Sequence, residues 1–409
     1  MHILWIKTEL LHPVDKGGRI RTYQMLRQLR REHRITYLAL DDGAGGSEAI
    51  ERATEYCHEL VAVPFATRAK RTTGFYWELL QNLASPLPYA VAKYRSPGLT
   101  RELHRLIAEG GVDVVVCDFL FPSLNVPSDL GVPTVLFQHN VEAAIWERHA
   151  QVAKHPVKRL YMREQWRRMR AFEGQECRRF DKVVAVSQED CAVLARAYGL
   201  HGVEEVPTGV DTEFFRPSHS VARNRNEIVF TGSMDWLPNE DAVAWFAEAI
   251  LPRIRAQVPD AQFTIVGRTP SQPVLDLART HHDITVTGSV PDVRPYMERA
   301  AAFVIPMRVA GGTRLKVYEA MGMEIPMVST TIGIEGLPVR HDAELLVADE
   351  PEAFAAAVVR LLREPPLGAQ LAANAAKRVR AEFGWREVAA RFAGICGALP
   401  TERRVRVPA

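Results

Sequence analysis

The feature that most constrains this chain is an alternation that runs once, stops at a proline-bounded segment, and runs again. Short apolar runs end in glycine or a polar residue, and each is followed by a stretch with helical periodicity. His2–Lys7, the Asp15-Lys16-Gly17-Gly18 turn, the Arg19–Arg31 periodicity and the run Ile35–Leu40 make the first instance. Strand, helix and strand at that spacing predict a βαβ unit, and with it a parallel sheet. Val112–Cys117, Thr134–Phe137, Val183–Val186 and Val203–Val206 continue the strand runs. Pro207–Pro217, PTGVDTEFFRP, has proline at both ends and few apolar-periodic residues, and reads as a linker. The pattern then restarts with Ile228–Thr231, the turn Gly232-Ser233 and a helix over Asn239–Ile250. Gln262–Val266 ends in Gly267-Arg268, Ile284–Val286 ends in Gly288, and Ala302–Ile305, Pro326–Ser329 and Leu345–Val347 follow. Helices are predicted over Glu352–Leu362, Leu367–Glu382 and Trp385–Cys396. At 409 residues the chain exceeds one ordinary core, so two α/β halves are expected. Both carry their glycine turns on the same sheet edge and face each other across a cleft.

Within the second half, Val309–Gly322, VAGGTRLKVYEAMG, carries the densest chemistry. Gly311 and Gly312 open a tight loop after a buried strand run, and Thr313 is an N-cap candidate for a helix that buries Leu315, Val317, Tyr318 and Met321. A glycine loop feeding a helix N-terminus points backbone N–H groups outward with partial positive charge behind them, which suits a phosphate. Arg314 and Lys316 add cations in the first turn. Glu319, one turn on, could accept hydrogen bonds from a sugar diol. Diphosphate and ribose together describe a sugar nucleotide. The same residues also read as a plain turn and helix with a surface Lys316–Glu319 pair.

Composition narrows the alternatives. With 47% apolar and 24% charged residues the chain is globular, and a net charge of +2 makes no general case for nucleic acid. Cys57, Cys117, Cys177, Cys191 and Cys396 form no CxxC and no metal-like cluster with histidine, which suits reduced thiols in the cytoplasm. The start, MHILWIK, reads as a strand rather than a signal peptide, and no apolar run is long enough to span a bilayer. Membrane contact, at the inner face, would therefore be peripheral. The spacing around Gly17-Gly18 is not that of a dinucleotide-binding GxGxxG, which argues against a Rossmann dehydrogenase.

Polar residues at the carboxyl ends of buried strands sit where ligands bind in open α/β sheets. Asp118 ends one such run, and Gln138-His139-Asn140 ends the next. Two further stretches invite a membrane reading. Thr67–Pro97 mixes Phe75, Trp77, Tyr89 and Tyr94 with Lys70, Arg71, Lys93 and Arg95, and reads either as a substrate- or membrane-facing excursion or as a helical hairpin packed on the sheet, the second being favoured. Lys158–Arg179 is a helical segment with eight basic residues against three acidic ones; an anionic lipid surface or a solvated charged face would each account for it.

PTGVDTEFF at the join, TGS opening the second sheet, IVGR, TGSVPDV and GGTRLKVYEAMG, with FQHNVE and VVAVSQED in the first half, resemble the GT-B glycosyltransferases of the family-4 type. The resemblance covers nearly the whole chain and is strongest from Val206 to Gly336. It implies two Rossmann-like domains, residues 1–207 for the acceptor and 208–384 for the nucleotide sugar, with a helix over 385–400 packing back on the first. It implies retaining transfer of a hexosyl group to a glycan or lipid-linked acceptor in cell-surface polysaccharide synthesis. Neither a cofactor nor a metal is expected, the chain having no D-x-D triplet. Residue by residue, Glu319 matches the second glutamate of E-x7-E, which holds the donor ribose. Gly17 and Gly18 match the loop near the donor diphosphate. Gly288–Val293, including Val290, matches the loop at the nucleobase, and His139 matches the acceptor-domain histidine beside the reacting sugar. Gly232, Ser233, Arg268, Gly311, Gly312, Thr313 and Leu315 complete the expected donor site, and Asp118, Asn140 and Glu142 the expected acceptor site.

Two departures stand out. Eight residues before Glu319, where the motif has its first glutamate, stands Gly311. The family's Arg and Lys after the first strand of the second domain are also missing, with Ser233 at the arginine position and Pro238 or Asn239 at the lysine position. A diphosphate leaving group needs positive charge as it departs, and Arg314 and Lys316 are the expected replacements. Two rival readings are a sugar-nucleotide 2-epimerase on the same fold and a non-catalytic nucleotide-sugar-binding subunit.

Overall fold

The computed structural model describes residues 1–15, 17–66, 72–152, 155–309 and 315–400. The chain forms two compact units. The first holds Met1–Pro207 together with the chain from Val388 onward, and the second holds Thr208–Glu387. The chain passes between them at Pro207–Thr208 and again inside the helix Trp385–Gly397.

In the first unit β1 (His2–Lys7), β2 (Arg34–Asp41), β3 (Glu59–Pro64), β4 (Val114–Asp118), β5 (Thr134–Phe137), β6 (Lys182–Ala185) and β7 (Glu204–Glu205) form one sheet in the order β3-β2-β1-β4-β5-β6-β7. Every pairing is parallel. β1 is buried almost end to end, as a strand covered on both faces must be. Leu4 and Ile6 join Leu38, Val115 and Leu136 on one face. Trp5 points the other way, 5.4 Å from Phe392 and 6.1 Å from Phe137 between ring centroids, so the C-terminal helix packs on that second face.

The second unit repeats the plan. β8 (Asn224–Thr231), β9 (Gln262–Val266), β10 (Ile284–Val286), β11 (Ala300–Ile305), β12 (Met327–Ser329) and β13 (Leu346–Val347) run parallel in the order β10-β9-β8-β11-β12-β13. Phe230, Phe246, Phe263, Phe303 and Phe354 fill its core. The two parallel-sheet α/β units agree with the fold class expected from the alternating pattern.

This topology decides where chemistry can sit. In each sheet the strand order reverses direction beside the first strand, between β1 and β4 and between β8 and β11. The carboxyl ends at such a reversal leave a crevice, because the connections on either side run away from each other. Ile6 pairs with Cys117, which puts the next residues, Lys7 and Asp118, side by side at the first reversal. Phe303 pairs with Val229, so β8 delivers Gly232 and β11 delivers the loop before the Leu315–Gly322 helix at the second.

Candidate active site residues in the two units

In the second unit, Gly232 leaves β8 in a space that admits no side chain. A Cβ there would lie 2.7 Å from Nδ2 of Asn239 and 3.1 Å from Nζ of Lys316. Gly267, at the end of β9, is held as tightly, because a Cβ would come within 1.7 Å of the Gly232 carbonyl oxygen. The missing Cβ at Gly232 leaves room for Lys316 to reach across from the Leu315–Gly322 helix. Its Nζ donates to Oδ1 of Asn239 at 2.8 Å and stands 4.1 Å from the centroid of the Phe230 ring. Asn239 is buried, and its Nδ2 donates to the carbonyl of Ser233 at 2.9 Å. Nε of Arg268 donates to Oγ of Ser233 at 2.9 Å, and that hydroxyl donates to Oδ1 of Asp235 at 2.5 Å. Gly232, Ser233, Arg268 and Lys316 are therefore brought together around one turn.

The helix carrying Lys316 is anchored by Val317, Tyr318 and Met321, all buried, while Leu315 is only half-buried. Glu319, one turn along, keeps partial exposure, and among the described residues its carboxyl accepts no hydrogen bond. The protein packed around that carboxyl pushes its pKa up to about 7, with Lys316 pulling weakly the other way. A carboxylate with unused acceptor capacity suits a diol. Gly288 turns with φ +70°, and Val290 beyond it packs against the core. Gly311, Gly312, Thr313 and Arg314 lie outside the described residues. Just before them, Arg308 grips Asp241 through two hydrogen bonds, of 3.0 and 2.5 Å.

In the first unit the buried centre is Asp118. Its Oδ2 accepts from Nζ of Lys7 at 2.7 Å, from Oγ1 of Thr22 at 2.6 Å and from Nε1 of Trp5 at 3.1 Å. Lys7 also donates to Thr22 at 2.9 Å. Burial alone would raise the Asp118 carboxyl, but Lys7 and His139 outweigh it and hold the group far below the usual carboxylate range. Nε2 of His139 lies 2.6 Å from Oδ1 of Asp118, close but poorly aligned for a hydrogen bond. Burial lowers the His139 pKa to about 4 against the pull of Asp118, so the imidazole is neutral at neutral pH. Facing an ionised carboxylate, Nε2 takes the proton, which leaves Nδ1 as an acceptor.

Phe119 completes this cluster. Its ring stacks on His139 with centroids 3.8 Å apart and lies 4.3 Å from Nζ of Lys7. The residue has φ +72°, a region that a bulky side chain rarely adopts, so the surrounding contacts hold it there. Gly18, in the first turn of the Gly17–Leu29 helix, passes against that ring, and a Cβ at Gly18 would meet it at 3.0 Å. Lys7 and Phe119 also line a cavity of about 840 Å³ with Glu9, Phe75, Glu78 and Tyr89.

Asn140 is exposed and bonds the Glu142 side chain. Glu142 is buried at the start of the Glu142–Val152 helix, and burial beside Glu173 pushes its pKa up to about 7. Glu173 caps that helix by accepting from the N–H groups of Glu142 and Ala143 at 2.8 and 3.1 Å, and also from Tyr198 Oη at 2.7 Å. Glu142 thus belongs to the helix start as much as to any open site. The sequence reading overlooked Lys7, Thr22, Phe119 and the positive role of Asn239. A lysine closing an otherwise apolar strand was the available signal for Lys7; nothing local marked the other three.

Residues 16–214 match the Glycosyltransferase Family 4 model, and residues 225–364 match the Glycosyl transferases group 1 model. A 44.6 kDa protein of the cps region of Klebsiella pneumoniae is 22% identical over 51% of this chain and 54% of its own length, so the chain spans about half of that relative. The lipopolysaccharide core biosynthesis mannosyltransferase LpcC of Rhizobium leguminosarum bv. viciae is 23% identical over 65% of this chain and 78% of its own. Among solved structures, Anabaena Alr3699/HepE in complex with UDP superposes with a TM-score of 0.66 at 14% identity, covering 98% of this chain and 100% of that one. At that identity the likeness speaks for the fold, which is GT-B.

Proposed function

We propose, from the premise of a GT-B glycosyltransferase that two family matches laid end to end along the chain support, that this protein moves a sugar from a nucleotide-sugar donor to a glycan or lipid-linked acceptor, with retention at the anomeric carbon. Relatives named for lipopolysaccharide core synthesis and for phosphatidyl-myo-inositol mannosyl transfer favour a cell-surface glycoconjugate as product.

The observation that carries this reading is the position of Lys316. Its ammonium occupies the space beside Gly232 and Asn239, next to the sequence position, Pro238 or Asn239, at which the resembling family carries its own lysine. The charge is supplied from the opposite side of the crevice by the helix that also carries Glu319. A donor diphosphate at this turn would meet Lys316 and the amides of the turn, while the ribose hydroxyls would reach Glu319 three residues, about 4.5 Å of helix, further on. Negative charge grows on the departing diphosphate as the glycosidic bond breaks, so a fixed cation there lowers the barrier. In the first unit, the neutral His139 offers a hydrogen-bond acceptor for a sugar hydroxyl, with Phe119 and Asp118 holding its ring.

The test is direct: purified protein is incubated with a panel of nucleotide sugars, and nucleoside diphosphate release is followed with and without acceptor extracts. Acceptor-dependent release from one donor supports the reading. Binding of nucleoside diphosphate with no transfer to any acceptor would turn it into that of a non-catalytic subunit.

A further inference from the structure

Thirteen large hydrophobic side chains are exposed among the described residues, and six of them fall on two helices of the first unit. Tyr76, Trp77, Leu80 and Leu83 form a stripe at i, i+1, i+4 and i+7 along the Thr73–Asn82 helix and its cap. Val157 and Leu160 stand one turn apart at the start of the Pro156–Arg179 helix. Trp77 is 59% exposed and Leu160 71%. Large apolar groups gathered in this way mark an interaction surface rather than ordinary scatter.

The two helices are fastened together. Arg168 donates to the carbonyls of Asn82 and Leu83 at 2.7 and 3.0 Å, and Gln165 donates to Oδ1 of Asn82 at 3.2 Å. Leu160 lies eight residues, about 12 Å of helix, from that junction. The charge around the exposed groups is mainly basic, and Glu164, one turn past Leu160, is held by Arg167 and Arg168 at 2.9 and 2.6 Å. Lys158, Arg159 and Arg163 are exposed in the first two turns of the longer helix, and no acidic residue precedes Glu164. The one acidic residue of the shorter helix, Glu78, turns away from the stripe, accepting from Tyr89 Oη at 3.0 Å and lining the cavity.

We propose that this face docks on an anionic lipid bilayer, with the Trp77–Leu80 stripe entering the headgroup layer and Lys158 and Arg163 pairing with lipid phosphates. An apolar stripe of aromatic and leucine residues flanked by cations is what an interfacial helix needs, and the positive charge selects a membrane over a neutral protein partner. The inner face of the Thr73–Asn82 helix, through Phe75 and Glu78, lines the same cavity as Lys7 and Phe119. Docking therefore places that cavity next to the bilayer. That a membrane-anchored acceptor enters there rests on the transferase reading above; the docking itself does not.

The experiment is flotation of the full chain with vesicles of phosphatidylglycerol and phosphatidylcholine, and with phosphatidylcholine alone, at two salt concentrations. Binding to the anionic vesicles alone, weakened by salt, is expected. Trp77→Ser with Leu80→Ser should reduce it roughly tenfold or more, and Lys158→Glu with Arg163→Glu should do the same, since each membrane-adjacent cation matters by roughly fivefold. The two pairs lie on separate helices, so misfolding of one variant leaves the other informative. Absence of binding to anionic vesicles overturns the proposal, as does unchanged binding by both variants. Wild-type self-association in sedimentation equilibrium that Trp77→Ser with Leu80→Ser abolishes would assign the face to a second copy instead. Vesicle binding without sugar transfer would leave the docking surface standing and remove the transferase reading.

Discussion

Nζ of Lys316 and Oδ1 of Asn239, 77 residues apart in the chain, meet at 2.8 Å over Gly232. On the proposed reading, this contact would let a chain with Ser233 at the family's arginine position, and Pro238 or Asn239 at its lysine position, present a cation at the end of β8. Asn239, itself fixed by its bond to the Ser233 carbonyl, would then orient that cation.

If that ammonium faces the leaving diphosphate, Lys316→Ala should lower kcat by roughly 100-fold or more while changing nucleoside diphosphate affinity much less, because its partner charge develops in the transition state. Asn239→Ala should lower kcat by a smaller factor. Steady-state kinetics together with calorimetric binding separate the two effects. Near-normal turnover in Lys316→Ala would remove the lysine from the chemistry.

Glu319 predicts a pH dependence. With a pKa of about 7 in the unliganded protein, it is protonated at pH 6 and ionised at pH 8. Ribose hydroxyls donate better to the ionised form, so nucleoside affinity should rise roughly tenfold between those values. Glu319→Gln should flatten that rise, and Glu319→Ala should cost about 1.5–3 kcal/mol of nucleotide binding at pH 8. Parallel titrations of wild type and Glu319→Gln that superpose would place the ribose elsewhere.

Lys7→Met should be strongly destabilising, because it leaves the buried Asp118 carboxylate without its cation; about 3–5 kcal/mol is the scale for breaking one side of a buried pair. Lys7→Met combined with Asp118→Asn should recover much of that loss. Urea unfolding of both variants checks this, with the double variant distinguishing a lost charge partner from simple loss of packing.

Glu142 predicts the opposite trend to an ordinary salt-bridged carboxylate. Its folded pKa, about 7, lies above the unfolded value near 4.5, so its contribution is fully present below pH 4.5 and is lost as pH rises through 7. Glu142→Gln should therefore gain stability relative to wild type between pH 5 and pH 8, by about 2–3 kcal/mol if the whole shift is relieved. Equal pH dependence in wild type and variant, by thermal unfolding, would locate the titration elsewhere in the Glu142–Glu173 pair.

The outer stripe of the Thr73–Asn82 helix shows where reading from sequence stops. A helical hairpin packed on the sheet was the favoured expectation for Thr67–Pro97, and helices do form there. Yet Tyr76, Trp77 and Leu80 point outward while Phe75 and Glu78 face a cavity. Periodicity reports that one face is apolar; it does not report that the apolar face is the exposed one.

What the amino-acid order determined by itself was everything governed by short-range physics. Strand runs, glycine turns and helix starts were legible because apolar periodicity, missing Cβ atoms and capping hydroxyls act within a few residues. The parallel arrangement followed, since strand–helix–strand spacing leaves few topologies. Only the tertiary structure decided which strand ends adjoin. Lys7 and Asp118 stand 111 residues apart, and Lys316 and Asn239 stand 77 apart, so no local pattern couples them. They meet because both sheets reverse their strand order beside the first strand, and side chains delivered to that reversal from distant segments share one crevice. Burial there set their charges as well: a histidine held neutral, one carboxylate kept ionised by a lysine and another left half-protonated are properties of the packed surroundings, not of the residue types.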